Sequence, residues 1–101
     1  MSKYLKLKEE LEKNGTGKMK GFGQSMMPII KSGSLLTFEP REEYEVGDIV
    51  FCKVKGRWID GHLIKKKDTA GRYLIGNNHG FDNGWTTKVF GKVVNIEAPK
   101  K

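Results

Sequence analysis

The feature that most restricts the fold is a proline inside an unusually apolar segment. Residues 21–33 have the sequence GFGQSMMPIIKSG, and Pro28 interrupts the apolar run of residues 26–30. Proline has no backbone N–H to donate, so a central β-strand cannot readily pass through this position. A solvated loop would not need so apolar a run. We therefore predict a strand end, a tight turn, and then a short apolar helix or turn that begins near Pro28.

The same segment carries a small hydroxyl at the edge of its apolar part. Ser25 follows the glycine-containing residues 21–24 and directly precedes Met26. A tight turn here would surround the hydroxyl with backbone N–H groups, which is what a serine nucleophile and its oxyanion hole require. An ordinary glycine-rich turn that leads into a core segment explains the same residues, so this pattern alone leaves both interpretations open.

Composition indicates one small, folded and basic domain. The chain has 101 residues, of which 37% are hydrophobic and 10% aromatic, and its formal net charge is +7. This length is enough for one modest core, and thirteen glycines among short apolar runs favour a turn-rich β protein. The positive charge attracts nucleic acid or acidic surfaces, although a solvated surface is its commonest explanation.

The sequence excludes several other classes of protein. Cys52 is the single cysteine, which rules out an internal disulfide and a cysteine-based zinc site. No window approaches the roughly 18 apolar residues of a membrane span, and the chain begins without a signal peptide. We therefore expect a soluble, cytoplasmic protein that uses no cofactor and no metal.

Periodicity predicts one helix followed by short strands. Residues 3–13 place Tyr4, Leu7 and Leu11 on one helical face, Asn14-Gly15 ends the helix, and residues 16–20 form a linker into the first strand. Further strands are predicted at 34–38, 49–55, 58–66, 73–75 and 88–96, with a polar loop at 76–84. The expected fold is mainly β: a small, twisted, partly open antiparallel β-barrel-like domain. The expected organisation is a helix and linker at 1–18, the domain at 19–97 and a basic tail at 98–101.

Three polar residues in separate elements are candidates for catalysis. Ser25 lies in the first turn, His62 in a predicted strand and Asp82 in the polar loop. A serine nucleophile needs a neighbouring base, and neutral imidazole suits that role near pH 7. A carboxylate behind the imidazole would fix its tautomer and stabilise its cation. Most chains contain these three residue types, so their presence alone is a weak signal.

The motifs around these residues, and their order, carry a resemblance. The chain contains Ser-Met-Met-Pro, Gly-Asp-Ile-Val, Gly-His-Leu-Ile, Gly-Asn-Asn-His-Gly-Phe-Asp and Gly-Lys-Val-Val, in that order, between residues 21 and 94. This arrangement resembles the signal peptidase and LexA-type serine peptidases. The resemblance implies a twisted, mostly antiparallel β fold, with Ser25 as nucleophile and its backbone N–H as the main oxyanion donor. The implied oxyanion and substrate-binding segment comprises Gly23, Gln24, Ser25, Met26, Met27 and Pro28.

The resemblance also implies the roles of the base and its partner. Most bacterial members carry a lysine where this chain has His62, whereas the endoplasmic-reticulum and archaeal signal peptidases are similar to it in having a histidine. Their Gly-Asp-Asn box corresponds to Gly76-Asn77-Asn78, so Asn77 replaces an aspartate and Asp82 is left as the candidate carboxylate. Gly23 stands where some members have a serine hydroxyl as a second oxyanion donor.

Other bases are less well supported by the sequence. Lys65 would face the opposite side of its strand from His62, and Lys66 would lie about 13 Å further along at about 3.3 Å per residue. A lysine base also needs burial to lose its proton at neutral pH, and residues 65–67 are all lysines. His79 is a substitute base in a flexible-looking loop.

Three functions therefore remain open. The first is a serine endopeptidase that cleaves an extended peptide or protein, with self-processing near Gly15-Thr16-Gly17 as a variant and a phage or bacterial origin. The second is a non-catalytic module on the same fold that binds a peptide or protein. The third, ranked last, is a nucleic-acid binder that uses residues 65–67 with Trp58 and Tyr73 as stacking faces. The oligomeric state is left open.

Overall fold

The computed structural model describes residues 2–21 and 26–99, and it is a mainly β protein with one N-terminal helix. Helix α1 spans Lys3–Asn14. The strands that follow are β1 Gly17–Gly21, β2 Ser34–Glu39, β3 Ile49–Val54, β4 Arg57–Lys67, β5 Tyr73–Gly76, β6 Asp82–Thr86 and β7 Val89–Glu97. They form one antiparallel sheet in the order β1-β2-β7-β3-β4-β5-β6. The sheet curls into a half-barrel, which confirms the predicted fold class.

Local sequence signals define both ends of helix α1. The Ser2 hydroxyl accepts a hydrogen bond from the Leu5 backbone N–H at 3.3 Å, as an N-cap does. Gly15 ends the helix in the left-handed conformation, with φ of 70°. Leu7 and Leu11 are buried, so the predicted helical face is the one that packs on the sheet. In the described part of the chain, no helix combines the length and the apolar character needed to cross a bilayer.

Strand β3 separates two hydrophobic clusters. Side chains alternate along a strand, and accordingly Phe51 packs in one cluster while Val50 and Cys52 pack in the other. The first cluster lies beneath helix α1 and consists of Leu7, Leu11, Met19, Met26, Ile30, Leu36, Phe38 and Phe51. The second consists of Tyr44, Val50, Cys52, Val54, Ile59, Ile64, Tyr73 and Ile75. The curl of the sheet thus lets β3 bury both of its faces.

Stacked aromatic rings pack the start of helix α1 against the sheet. Tyr4 stacks on Trp58 with ring centroids 5.9 Å apart and an interplanar angle of 7°. Trp58 in turn stacks on Phe51 at 5.6 Å, and Phe90 packs against both. Aromatic pairs of this kind add about 0.5–1.5 kcal/mol beyond the area they bury. The first turn of the helix is therefore held next to strand β4.

The segment predicted as a linker at residues 16–20 is a strand. Residues 17–21 form β1, which pairs with β2 from Gly17 opposite Phe38 to Gly21 opposite Ser34. Their burial alternates, but the inward positions are two glycines and Met19, so the hydrophobic alternation is weak in the sequence. Gly17 permits the close approach of the helix, because a Cβ there would lie 2.7 Å from Leu7 Cδ1.

The polar loop predicted at residues 76–84 is shorter than expected. Its last part belongs to β6, Asp82–Thr86, which pairs with β5 at the edge of the sheet. The β6 sequence, Asp-Asn-Gly-Trp-Thr, is poor in the residues that favour strands. Backbone pairing with β5 determines its conformation, so residue propensity was a poor guide here.

Candidate active site

A bulge in strand β4 sets the direction of the His62 side chain. Asp60 is opposite Phe51 and His62 is opposite Val50, so Gly61 is the extra residue between two paired positions. Gly61 has φ of +95°, which favours glycine. Bulges bend a strand and redirect the neighbouring side chains. The glycine directly before His62 is therefore part of what orients this candidate base.

The turn that follows the candidate nucleophile contains the predicted apolar residues. Ser25 itself lies outside the described residues, as do Gly23 and Gln24. In the next segment, Met26 is buried in the first cluster, and its carbonyl accepts a hydrogen bond from the Ile30 N–H at 3.0 Å. Met27 is half-buried, Pro28 is exposed, and the peptide bond between them is cis. Residues 26–30 thus form a turn, in agreement with the prediction near Pro28.

The turn and the bulge pack against each other. A Cβ placed on Gly61 would lie 3.7 Å from Ile30 Cδ1 and 3.2 Å from Leu36 Cδ1. Glycine leaves room for both apolar side chains. The segment covalently joined to Ser25 and the residue next to His62 therefore share one packed contact, although they lie far apart in the sequence.

The loop between β5 and β6 is also tied to this turn. The Asn78 side-chain amide donates to the Met27 carbonyl at 3.0 Å. The Asn77 side-chain oxygen accepts hydrogen bonds from the N–H groups of His79, at 2.8 Å, and Phe81, at 3.0 Å. Asn77, which replaces the aspartate of the resembling motif, therefore orders the loop backbone. His79, the substitute base, is exposed in the same loop.

An amide side chain contacts Nδ1 of His62. His62 Nδ1 lies 2.8 Å from Asn83 Oδ1, and both residues are partly buried. An amide oxygen can only accept a hydrogen bond, so this contact places a proton on Nδ1 and makes Nε2 the basic nitrogen. Sequence reasoning missed Asn83. Its only signal in the sequence was its position directly after Asp82.

Asp82, the predicted orienting carboxylate, pairs with a lysine. Its Oδ1 lies 3.0 Å from Lys65 Nζ, and the Asp82 side chain is half exposed. Gly76 makes room for this pair, because a Cβ there would lie 2.7 Å from Asp82 Oδ1 and 2.8 Å from Lys65 Cε. Asp82 thus forms an ion pair with Lys65, whereas Asn83 contacts His62.

A second carboxylate near His62 was also absent from the predicted site. Asp60 lies two residues before His62 on β4, and burial raises its pKa, while Lys3 and His62 lower it by electrostatic attraction. This carboxylate therefore interacts with the imidazole and also with the start of helix α1. Within the described residues no group of His, Cys, Asp and Glu side chains has an arrangement that could hold a metal ion.

The residues considered for nucleic-acid binding have other contacts. Lys65 pairs with Asp82, and Lys67 pairs with Glu43 and Glu45. Trp58 is stacked among other rings, and the buried Tyr73 accepts a hydrogen bond from the Tyr44 N–H at 3.1 Å. These lysines and aromatic rings therefore do not form one continuous stacking face.

The segment considered for self-processing is part of the ordered fold. Gly15 caps helix α1, and Gly17 begins β1 opposite Phe38. A protease binds its substrate as an extended, accessible strand. Cleavage at residues 15–17 would therefore require β1 to separate from β2 at this end.

The fold and the candidate site together define a class of protein. A curled antiparallel half-barrel brings the turn after Ser25 against the bulge beside His62, so the two candidate residues adjoin elements that pack together. The chain belongs to the Peptidase S24-like family, whose sequence profile matches residues 1–94. This confirms the predicted resemblance to LexA-type and signal peptidase-type serine peptidases. No curated protein sequence matches the chain significantly.

Proposed function

We propose that the chain hydrolyses peptide bonds, with Ser25 as nucleophile and His62 as general base. The observation that carries this proposal is the packing of Ile30 against Gly61, next to His62. Family membership supports it as well, because the matched residues 1–94 include both candidates. Peptides and proteins are accordingly the expected substrates.

The reaction proceeds through an acyl-enzyme. The Ser25 hydroxyl oxygen attacks the substrate carbonyl carbon while its proton passes to Nε2 of His62. Backbone N–H groups of the Gly23–Met26 segment, that of Ser25 above all, stabilise the oxyanion, as the resemblance implies. His62 then gives the proton to the leaving amine. His62 next takes a proton from water, whose oxygen attacks the ester carbon, and returns that proton to the Ser25 oxygen as the ester C–O bond breaks and the carboxylic acid product leaves.

Asn83 orients the base in this proposal. Its amide oxygen accepts a hydrogen bond from Nδ1–H at 2.8 Å, so Nε2 carries the lone pair that takes the Ser25 proton in this proposal. An amide carries no charge and cannot stabilise the imidazolium as an aspartate does. The Asp60 carboxylate, which interacts electrostatically with His62, supplies a nearby negative charge. Asp82 was predicted to orient His62, and this remains a separate proposal. In the structure its carboxylate pairs with Lys65.

The test compares three proteins on one set of substrates. Wild type, Ser25→Ala and Ser32→Ala are incubated with a fluorogenic peptide library and, separately, with a fluorophosphonate probe that labels activated serines. We expect hydrolysis and labelling in wild type and Ser32→Ala, and neither in Ser25→Ala. Ser32 lies exposed in the next turn and is the matched control. Equal activity in wild type and Ser25→Ala would contradict the proposal.

A second candidate function is a peptide-binding module without catalysis. The neutral Asn83 favours it, because the side chain bonded to Nδ1 of His62 is an amide and not a carboxylate. In that case wild type would bind peptides without cleaving them. The double variant Ser25→Ala/His62→Ala would keep the same peptide affinity, measured by fluorescence anisotropy.

A further inference from the structure

A cavity opens directly beside the candidate base. It has a volume of about 490 Å³ and lies between strand β4 and the start of β6. Its walls combine apolar, cationic and amide groups; the lining residues are Val54, Lys55, Arg57, Trp58, Ile59, Asp60, His62, Phe81 and Asn83. Because both His62 and Asn83 line it, anything bound there lies next to the proposed reaction centre.

The cavity follows the edge of a strand. Residues 57–60 are consecutive, and side chains alternate between the faces of a strand, so a cavity lined by all four contacts the edge of β4. Residues 57–63 pair with β3, whereas pairing with β5 begins only at Leu63. The edge of residues 57–62 that faces away from β3 therefore borders the cavity. An extended peptide binds such an edge by adding a strand.

Two cations stand at one end of this cavity. Lys55 and Arg57 flank the hairpin turn at Gly56, and both are exposed. Neither forms an ion pair with any residue in the described ranges 2–21 and 26–99. The Lys55 side chain lies back over β6, since its Nζ is 3.6 Å from the position of a Cβ on Gly84. Both positive charges are thus available at the mouth of the cavity.

The other end of the cavity carries a carboxylate. Asp60 is partly buried and carries the one carboxylate of the lining, close to His62. Trp58 and Ile59 lie between the two ends along β4, and Phe81, which is 60% exposed, adds a third apolar side chain to the lining. An anionic group would be repelled near Asp60 and attracted near Lys55 and Arg57. An aliphatic stem would contact the apolar wall between them.

We propose that this cavity is a specificity subsite of the peptidase, in which Lys55 and Arg57 select an acidic side chain of the peptide substrate. The inference rests on the proposed function and adds a substrate preference to it. Within this proposal glutamate is favoured over aspartate, because its longer aliphatic stem makes more apolar contact with the lining. The interaction is solvent-exposed, so its effect is a preference of about two- to fivefold and not an absolute requirement.

The experiment measures this preference directly. A fluorogenic positional-scanning peptide library, in which one position at a time is fixed as Glu or Gln, is hydrolysed by wild type, Lys55→Gln/Arg57→Gln and the control Lys66→Gln. Lys66 is an exposed lysine on the same strand that lies outside the cavity lining. We expect wild type and Lys66→Gln to favour Glu over Gln at one position. The double variant should lose this preference and hydrolyse the Glu and Gln libraries at equal rates, whereas the control Lys66→Gln should keep it.

A charge reversal and a binding measurement distinguish failure of the subsite proposal from failure of the peptidase proposal. Lys55→Glu/Arg57→Glu should favour Lys over Gln at the same position, an outcome that a merely structural role of these residues does not produce. Hydrolysis by wild type with equal rates on Glu and Gln would overturn the subsite and leave the peptidase intact. If Ser25 is not labelled and no peptide is cleaved, the peptidase proposal fails. The subsite is then judged by anisotropy with fluorescent Glu-fixed and Gln-fixed libraries, where equal affinities overturn it.

Discussion

His62 and Asn83, 21 positions apart, form a 2.8 Å contact between the imidazole Nδ1 and the amide Oδ1. The contact joins strand β4 to β6, the edge strand of the sheet, and both residues line the cavity beside β4. Because the amide oxygen accepts a hydrogen bond from Nδ1–H, it selects one imidazole tautomer without adding charge. In a peptidase this pair would determine how well the base is positioned.

Removing the Asn83 amide should weaken catalysis without unfolding the protein. We expect Asn83→Ala to lower kcat by about tenfold or more, since a well-placed general base contributes 10²–10⁴-fold in typical enzymes. Asn83→Asp should retain activity and move the acidic limb of the pH–rate profile to higher pH, because a carboxylate stabilises the imidazolium. Steady-state kinetics across pH 5–9 checks both. A profile identical in wild type and Asn83→Asp would argue against a contact between this side chain and the base.

Replacing Asp82 and Lys65 in separate variants tests whether Asp82 orients His62. If Asp82 orients His62, Asp82→Asn lowers peptide hydrolysis while Lys65→Met does not. If Asp82 serves only the 3.0 Å ion pair with Lys65, the two substitutions have the same small effect. An exposed pair of this kind contributes about 0.2–1 kcal/mol to stability. Urea denaturation measures that effect, and the hydrolysis rates decide between the two roles.

Gly61 should tolerate replacement less well than Gly56, the glycine of the preceding hairpin turn. In Gly61→Ala the new methyl group meets Leu36 Cδ1 at 3.2 Å, at a residue whose φ is +95°. We expect a loss of about 1–3 kcal/mol in the free energy of unfolding, with reduced activity in the folded fraction as His62 shifts. Gly56→Ala is the matched control: its φ is +80°, but no atom lies within 4 Å of the new Cβ. Equal losses in urea denaturation would show that the packing around Gly61 is unimportant.

The sequence predicted the fold where its signals were strong and local. Tyr4, Leu7 and Leu11 marked the buried face of the helix, and Pro28 marked the turn. Strands rich in β-branched residues, such as β3, were found within one residue of their ends. The same reasoning missed β1 and β6, because their glycines and polar residues adopt a strand conformation through pairing with neighbouring strands, not through their own propensity.

The site was predictable in part for a similar reason. Motif order identified Ser25 and His62 as candidates, and the contact between Ile30 and Gly61 brings their neighbourhoods together. Asn83 and Asp60 carried no motif of their own. Their relation to His62 depends on a bulge at Gly61 and on how β6 approaches β4, and neither side-chain direction follows from strand alternation alone.

Asp60 should make stability fall as pH rises. Burial is the main cause of its raised pKa, so the folded protein holds this proton more tightly than the unfolded chain, whose aspartate titrates near about 3.9. Stability is therefore lost from about pH 3.9 up to the folded pKa, and the loss persists at neutral pH. Asp60→Asn removes the titration. We expect the melting temperature of Asp60→Asn, relative to that of wild type, to be higher at pH 7 than at pH 3.

Asp68 provides a control of opposite sign for this pH dependence. Its pKa is lowered, chiefly by the hydrogen bond from the Arg72 backbone N–H and also by the Arg72 side chain. Its contribution to stability is present above the unfolded value of about 3.9 and disappears as pH falls through the folded pKa. The melting temperature of Asp68→Asn, relative to that of wild type, should therefore be lower at pH 7 than at pH 3. If both variants shift in the same direction, a change in net charge, and not burial of Asp60, explains the effect.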